Sequence, residues 1–123
     1  MSDDYNKLKK FVENLGYKVI ESDCDSWHYE SRIICNNVRR NPQNRVIYLS
    51  HEAGHASIYD FNKEEYIDIF PGFAKDGIKK KVSEIEQEVL AWDEGLKIMR
   101  NLQIHVDLKR FAKIKTMCLQ GYL

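Results

Sequence analysis

The segment His51-Glu52-Ala53-Gly54-His55 constrains this chain more than any other. Two histidines at this spacing are neighbours only on a helix, where residues i and i+4 lie one above the other. On a strand the same spacing would set them about 13 Å apart. The flanking text reads as helix as well. Asn41-Pro42 offers an N-cap followed by a proline at the first helical position, and from there a helix is expected through Val46, Leu49, Ala53 and Ala56 to about Tyr59. This helix is apolar on both flanks, with Ile47 and Ile58 on the second side, so histidines within it would be partly buried and need partners. Gly54 costs the helix about 1 kcal/mol relative to Ala, which points to something packed closely against it.

The rest of the chain fits one domain, residues 1–123, built around a single core. A helix is expected over residues 3 to 15, with Leu8, Phe11, Val12 and Leu15 at helical spacing and Gly16 as its stop. Tyr17-Lys18-Val19-Ile20-Glu21 and Arg32-Ile33-Ile34-Cys35-Asn36 read as strands, and Trp27 to Glu30 could form a hairpin with the second. Residues 61 to 80, with Pro71, Gly72 and Gly77, are the least regular part. A long helix follows over about 82 to 102, with Val82, Ile85, Val89, Trp92, Leu96 and Met99 as its apolar stripe. Asp107 can cap a last helix containing Leu108, Phe111, Ile114, Cys118 and Leu119. The expectation is a small α+β domain, a short β-sheet packed on about four helices.

Hydrophobic residues make up 43% and charged residues 31% of the chain, an ordinary globular balance that excludes a disordered chain or a collagen-like fibre. Lys and Arg number 19 against 19 Asp and Glu, so no global positive field favours nucleic acid. No leader-like apolar run or membrane-spanning stretch is present, and Cys24, Cys35 and Cys118 read as reduced thiols. A cytoplasmic location is the expectation.

On one helix face, His51 and His55 can direct both imidazoles at one Zn²⁺, half of a tetrahedral site. Glu52 lies about 100° round the helix, beside the metal rather than on it, where it could activate a zinc-bound water for attack on a carbonyl carbon. The alternative is a pair of helix-surface histidines. A third ligand must come from elsewhere, and position 61, where a third histidine of the longer metzincin pattern would stand, is Phe. The long helix offers Glu84, Glu86 and Glu88. Glu88 lies roughly 40° from Trp92 and about 80° from Leu96, at the edge of the apolar stripe, while Glu84 projects further out and Glu86 from the opposite flank. Glu88 is therefore the best candidate, with a solvated surface glutamate as the alternative; Ala91 and Gly95, small neighbours on its side, leave room for the histidine helix to approach.

The strand Arg32 to Asn36, the helix carrying His51-Glu52-Ala53-Gly54-His55, and Glu86-Gln87-Glu88-Val89-Leu90-Ala91-Trp92 together resemble a minimal zincin, a gluzincin-type HExxH metallopeptidase, most like the ImmA/IrrE family. The resemblance spans roughly residues 30 to 100. It implies a zincin-like fold, Zn²⁺ held by His51, His55 and Glu88, Glu52 as the catalytic base, and hydrolysis of a peptide bond in an intracellular, often regulatory, protein. It also implies a peptide or protein substrate, with a regulatory partner protein as a further option, since the chain is too short to hold the helix-turn-helix domain of many members. Neither membrane nor nucleic acid is expected as a partner. In zincins an edge strand commonly pairs with substrate, and Arg32 to Asn36 is the candidate here; a buried interior strand is the alternative.

Tyr48, Tyr59, Tyr66, His28 and His105 are candidates to stabilise an oxyanion, and sequence does not choose among them. Asp60 and Asp93 could orient a ligand imidazole, or serve as plain surface charges. The basic runs Arg39-Arg40 and Lys79-Lys80-Lys81 read as solvated, Trp92 as core, and Cys35 and Cys118 as small buried hydrophobes. Two other functions stay open: a non-proteolytic zinc-containing binding module acting on a regulator, and another HExxH zinc hydrolase of deformylase or amidase type, for which Cys35 would be a stand-in ligand.

Overall fold

Asp3 and Asp4 stand in the first turn of α1 (Asp3–Asn14), where carboxylates complement the unpaired amides of a helix start. Leu8 and Val12 bury its inner face completely, with Tyr5 beside them. Gly16 ends it at φ 93°, a left-handed conformation that a residue with a Cβ adopts only under strain. The computed structural model describes residues 3–61 and 77–123, with side chains at 3–61 and 82–123.

Three short strands follow: β1 (Lys18–Ser22), β2 (Ser26–His28) and β3 (Ile33–Asn37). Their order in the sheet is β1-β3-β2, with β1 parallel and β2 antiparallel to β3. The chain runs out along β1, returns along β2 one strand-width away, and fills the gap with β3. This overturns the edge position expected for Arg32 to Asn36: β3 is the central strand, paired on both sides, and β2 is an edge. Burial alternates along β3, so Ile34 and Asn36 face the helices and Cys35 faces away from them.

Three helices complete the described fold: α2 (Pro42–Phe61), α3 (Gly77–Asn101) and α4 (Leu108–Gln120). The Asn41 side chain accepts from the Asn44 amide at 2.9 Å and caps α2, with Pro42 at its first position. Asp107 caps α4 in the same way through the Arg110 amide at 3.1 Å. The core joins α1, α2, the inner sheet face, α3 and α4, with Leu8, Val12, Ile34, Leu49 and Trp92 fully enclosed. Arg45 is buried too, made tolerable by Asn36, whose Oδ1 accepts its Nε at 2.9 Å. Val82, placed on the apolar stripe of α3 from sequence, is exposed, because the helix is wholly enclosed only about two to three turns further on, at Ala91 and Trp92. The expected irregular stretch lies outside the described residues over 62–76, Tyr66, Pro71 and Gly72 included, while Gly77 already belongs to α3. Among the described residues no helix is long and apolar enough to cross a membrane.

Candidate metal centre

The site forms where α2 and α3 cross with almost nothing between their backbones. A Cβ placed on Gly54 would meet the Ala91 carbonyl oxygen at 2.0 Å, and one on Gly95 would meet the Ser50 carbonyl oxygen at 2.4 Å. The close packing expected at Gly54 and the clearance expected at Gly95 are thus one contact seen from two sides. It brings the imidazoles of α2 to the carboxylate of α3.

His51 Nε2 and His55 Nε2 stand 3.1 Å apart. Glu88 meets both: its Oε2 is 2.6 Å from His51 Nε2, and its Oε1 is 3.2 Å from His55 Nε2. Ligands held about 2.0–2.1 Å from a tetrahedral zinc stand about 3.3 Å from one another. Two edges of this triangle already have nearly that length, and the third is a direct hydrogen bond that a small carboxylate movement would open. Two imidazole nitrogens and a carboxylate oxygen are also a donor set that zinc accepts. The residues fit the ion.

Glu52 also approaches, and its carboxylate shares a neighbourhood of 4.8 Å with the two histidines. It lies, however, 3.4 Å from Nδ1 of His51, on the opposite side of that ring from Glu88. Glu88 thus stands with the converging Nε2 atoms and Glu52 beside Nδ1 of His51.

Both imidazoles are backed by tryptophan. Trp92 stacks on His51 with centroids 4.2 Å apart and planes 4° from parallel, and Trp27 stacks on His55 at 5.2 Å and 6°. Trp92 is core, as expected, and fixes a candidate ligand as well. Burial works against a charge on His51, but hydrogen bonds and charge from Glu52 and Glu88 outweigh it and push its pKa up to about 9. Burial likewise opposes ionisation of Glu88, yet the hydrogen bonds from His51 and His55 hold its carboxyl well below the usual range.

The candidate oxyanion donors are scattered. Tyr48 lines the cleft of about 620 Å³ that opens on the histidines. Tyr59 packs against Trp27 and Tyr29, His28 Nε2 meets the Ser26 hydroxyl at 2.9 Å, and His105 is exposed on a different cavity. Neither aspartate touches an imidazole: Asp60 takes both Nη groups of Arg32, and Asp93 takes Lys115. Cys35 is absent from the cleft lining and points to the other sheet face, so it does not serve as a ligand here. Cys35 and Cys118 are only partly buried.

Sequence reasoning missed Tyr122. Its side chain lines the cleft together with Glu88, and burial together with that negative neighbour pushes the phenol pKa far up. No periodicity marks a residue that reaches the site from the turn after α4. A polar group beside a ligand helps to orient it, and losing such a neighbour commonly weakens metal affinity about 10–100-fold. Tyr122→Phe is expected to weaken zinc binding by about that factor with the fold unchanged, read by competition with a chromogenic chelator and by circular dichroism.

No family model, curated protein or solved structure matches this chain.

Proposed function

We propose that this protein is a zinc-dependent metallopeptidase of minimal zincin type, acting on peptide bonds of an intracellular protein. The observation that carries this reading is the convergence of His51 Nε2, His55 Nε2 and Glu88 on one point, with Glu52 beside them. His51, His55 and Glu88 would hold Zn²⁺. The ion, when bound, would make a water acidic enough to ionise near neutral pH and polarise the substrate carbonyl. Glu52, nine-tenths buried yet bordering the cleft, takes the proton of the attacking water on its carboxylate and gives it to the leaving amine. The tryptophan stacks keep both rings from turning. One observation also suits a site that binds without cleaving: a carboxylate on Nδ1 of His51 is what a purely structural metal centre would use to orient its ligand.

Metal content per chain tests the reading directly. About one zinc per wild-type chain is expected after native purification, lost in His55→Ala and weakened in Glu88→Ala. Wild-type protein that takes up no metal when zinc is supplied would return both histidines to structural roles.

A further inference from the structure

Arg40, expected as part of a solvated basic run, instead lies over the Tyr48 ring, its guanidinium carbon 3.5 Å from the centroid, and lines the cleft. Its Nε donates to Asp25 Oδ2 at 2.6 Å. Asp25 is itself anchored, its side chain 6% exposed and its Oδ1 accepting from the Asn37 amide at 2.9 Å and from Asn36 Nδ2 at 3.3 Å. The guanidinium is thus held from one edge and one face. Its outer edge, Nη1 and Nη2, has no acceptor among the described residues, although a third of the side chain is exposed. Tyr48 precedes Glu52 by one helical turn, about 6 Å along the same face of α2, and Arg40 on the Tyr48 ring lines the same cleft as the candidate catalytic carboxylate.

We infer that Arg40 binds a carboxylate of the peptide substrate, one or two residues from the bond being cut. A fixed guanidinium with a free Nη pair matches a carboxylate in a two-pronged contact. Pre-ordering by Asp25 and Tyr48 removes much of the entropy cost of that contact. Asp23, Asp25, Glu52 and Glu88 line the same cleft and repel a dianion more strongly than a single carboxylate, which restricts the ligand to one negative charge. At about 3.5 Å per extended residue, the offset along α2 corresponds to one or two peptide positions. The carboxylate belongs either to an acidic side chain or to a chain end.

The inference rests on the peptidase reading for the kind of ligand, a peptide, but its test is equilibrium binding. N-acetylalanylglutamate amide and N-acetylalanylglutamine amide, and N-acetyldialanine with its own amide, are titrated into metal-free and zinc-loaded protein and followed by NMR. In wild type one acid is expected to bind at least about tenfold more tightly than its amide in both forms of the protein. The pair showing the preference tells side chain from chain end. Arg40→Gln is expected to abolish the preference, and Arg40→Lys, which keeps the charge without the fork, to retain part of it. Zinc stoichiometry and circular dichroism show whether each variant is folded, and if Arg40→Gln is not, Arg40→Lys decides by a reduced preference. Equal binding of acid and amide to wild type, or a preference that survives Arg40→Gln or depends wholly on zinc, overturns the assignment. Acid-selective binding without any hydrolysis would defeat the peptidase reading alone, and hydrolysis without acid selectivity would defeat this inference alone.

Discussion

Glu52→Gln is expected to keep about one zinc per chain and to cut peptide hydrolysis by about 10²–10⁴-fold, the range in which a positioned general base contributes. That loss corresponds to about 2.7–5.4 kcal/mol of transition-state stabilisation. The substitution is nearly isosteric and keeps a polar oxygen where the carboxylate oxygen now stands 3.4 Å from Nδ1 of His51, so the ring that faces Glu88 keeps its surroundings. What disappears is a carboxylate able to hold a proton. Metal content by mass spectrometry and hydrolysis of a peptide library, compared between wild type and variant, give the two readouts. Turnover preserved in Glu52→Gln would remove Glu52 from proton transfer, and a loss of zinc in the same variant would make its contact with His51 the main reason the residue is there. Glu52→Ala, by contrast, should lower zinc affinity as well, because it deletes the carboxylate beside Nδ1.

Much of this site was legible because its information is local. Two histidines at i and i+4 need only a helix, and Asn41-Pro42 with the apolar flanks supplied one. Glu88 was singled out by angle alone, at the border of a stripe whose buried part the structure locates at Trp92 and Met99. Gly54 and Gly95 were legible as small residues, and their meeting required the crossing of two helices. What stayed hidden depends on contacts between distant segments. The parallel pairing of Lys18 with Ile33 moves β3 to the centre of the sheet, and no alternation within either strand announces it. Trp27 reaches His55, Arg40 reaches Asp25 and Tyr48, and Tyr122 reaches Glu88 only after the sheet, the helix crossing and the last turn are all in place. Reading Arg39-Arg40 as one solvated run failed for the same reason: Arg39 is exposed, while its neighbour finds an aromatic face and a buried carboxylate.

Gly54→Ala is expected to have the second large effect, and its sign runs against helix propensity. In an exposed helix this change would stabilise by about 1 kcal/mol. Here the new methyl would sit 2.0 Å from the Ala91 carbonyl oxygen and 3.0 Å from the Gly95 nitrogen. Both are backbone atoms, so no side chain can rotate away, and α2 and α3 must part by at least about 1.4 Å to restore ordinary contact. Overpacking of this kind costs about 1–3 kcal/mol and at times more, which for a chain of this size lowers Tm by roughly 5–15 °C. The chemical consequence exceeds the thermal one. His51 and His55 ride on one helix and Glu88 on the other, so the present contacts of 2.6 and 3.2 Å would stretch together. Zinc tolerates little variation around bonds of about 2.0–2.2 Å, and the carboxylate ligand would be the first lost. Gly95→Ala, clashing with the Ser50 carbonyl oxygen from the other side, should reproduce both effects. Thermal melts with and without zinc separate the two losses: wild type should gain stability from zinc, and either variant should melt lower and gain much less. A Gly54→Ala protein that melts at or above the wild-type temperature and binds zinc equally well would mean that the two backbones do not touch, and the triad of His51, His55 and Glu88 would lose the crossing that assembles it.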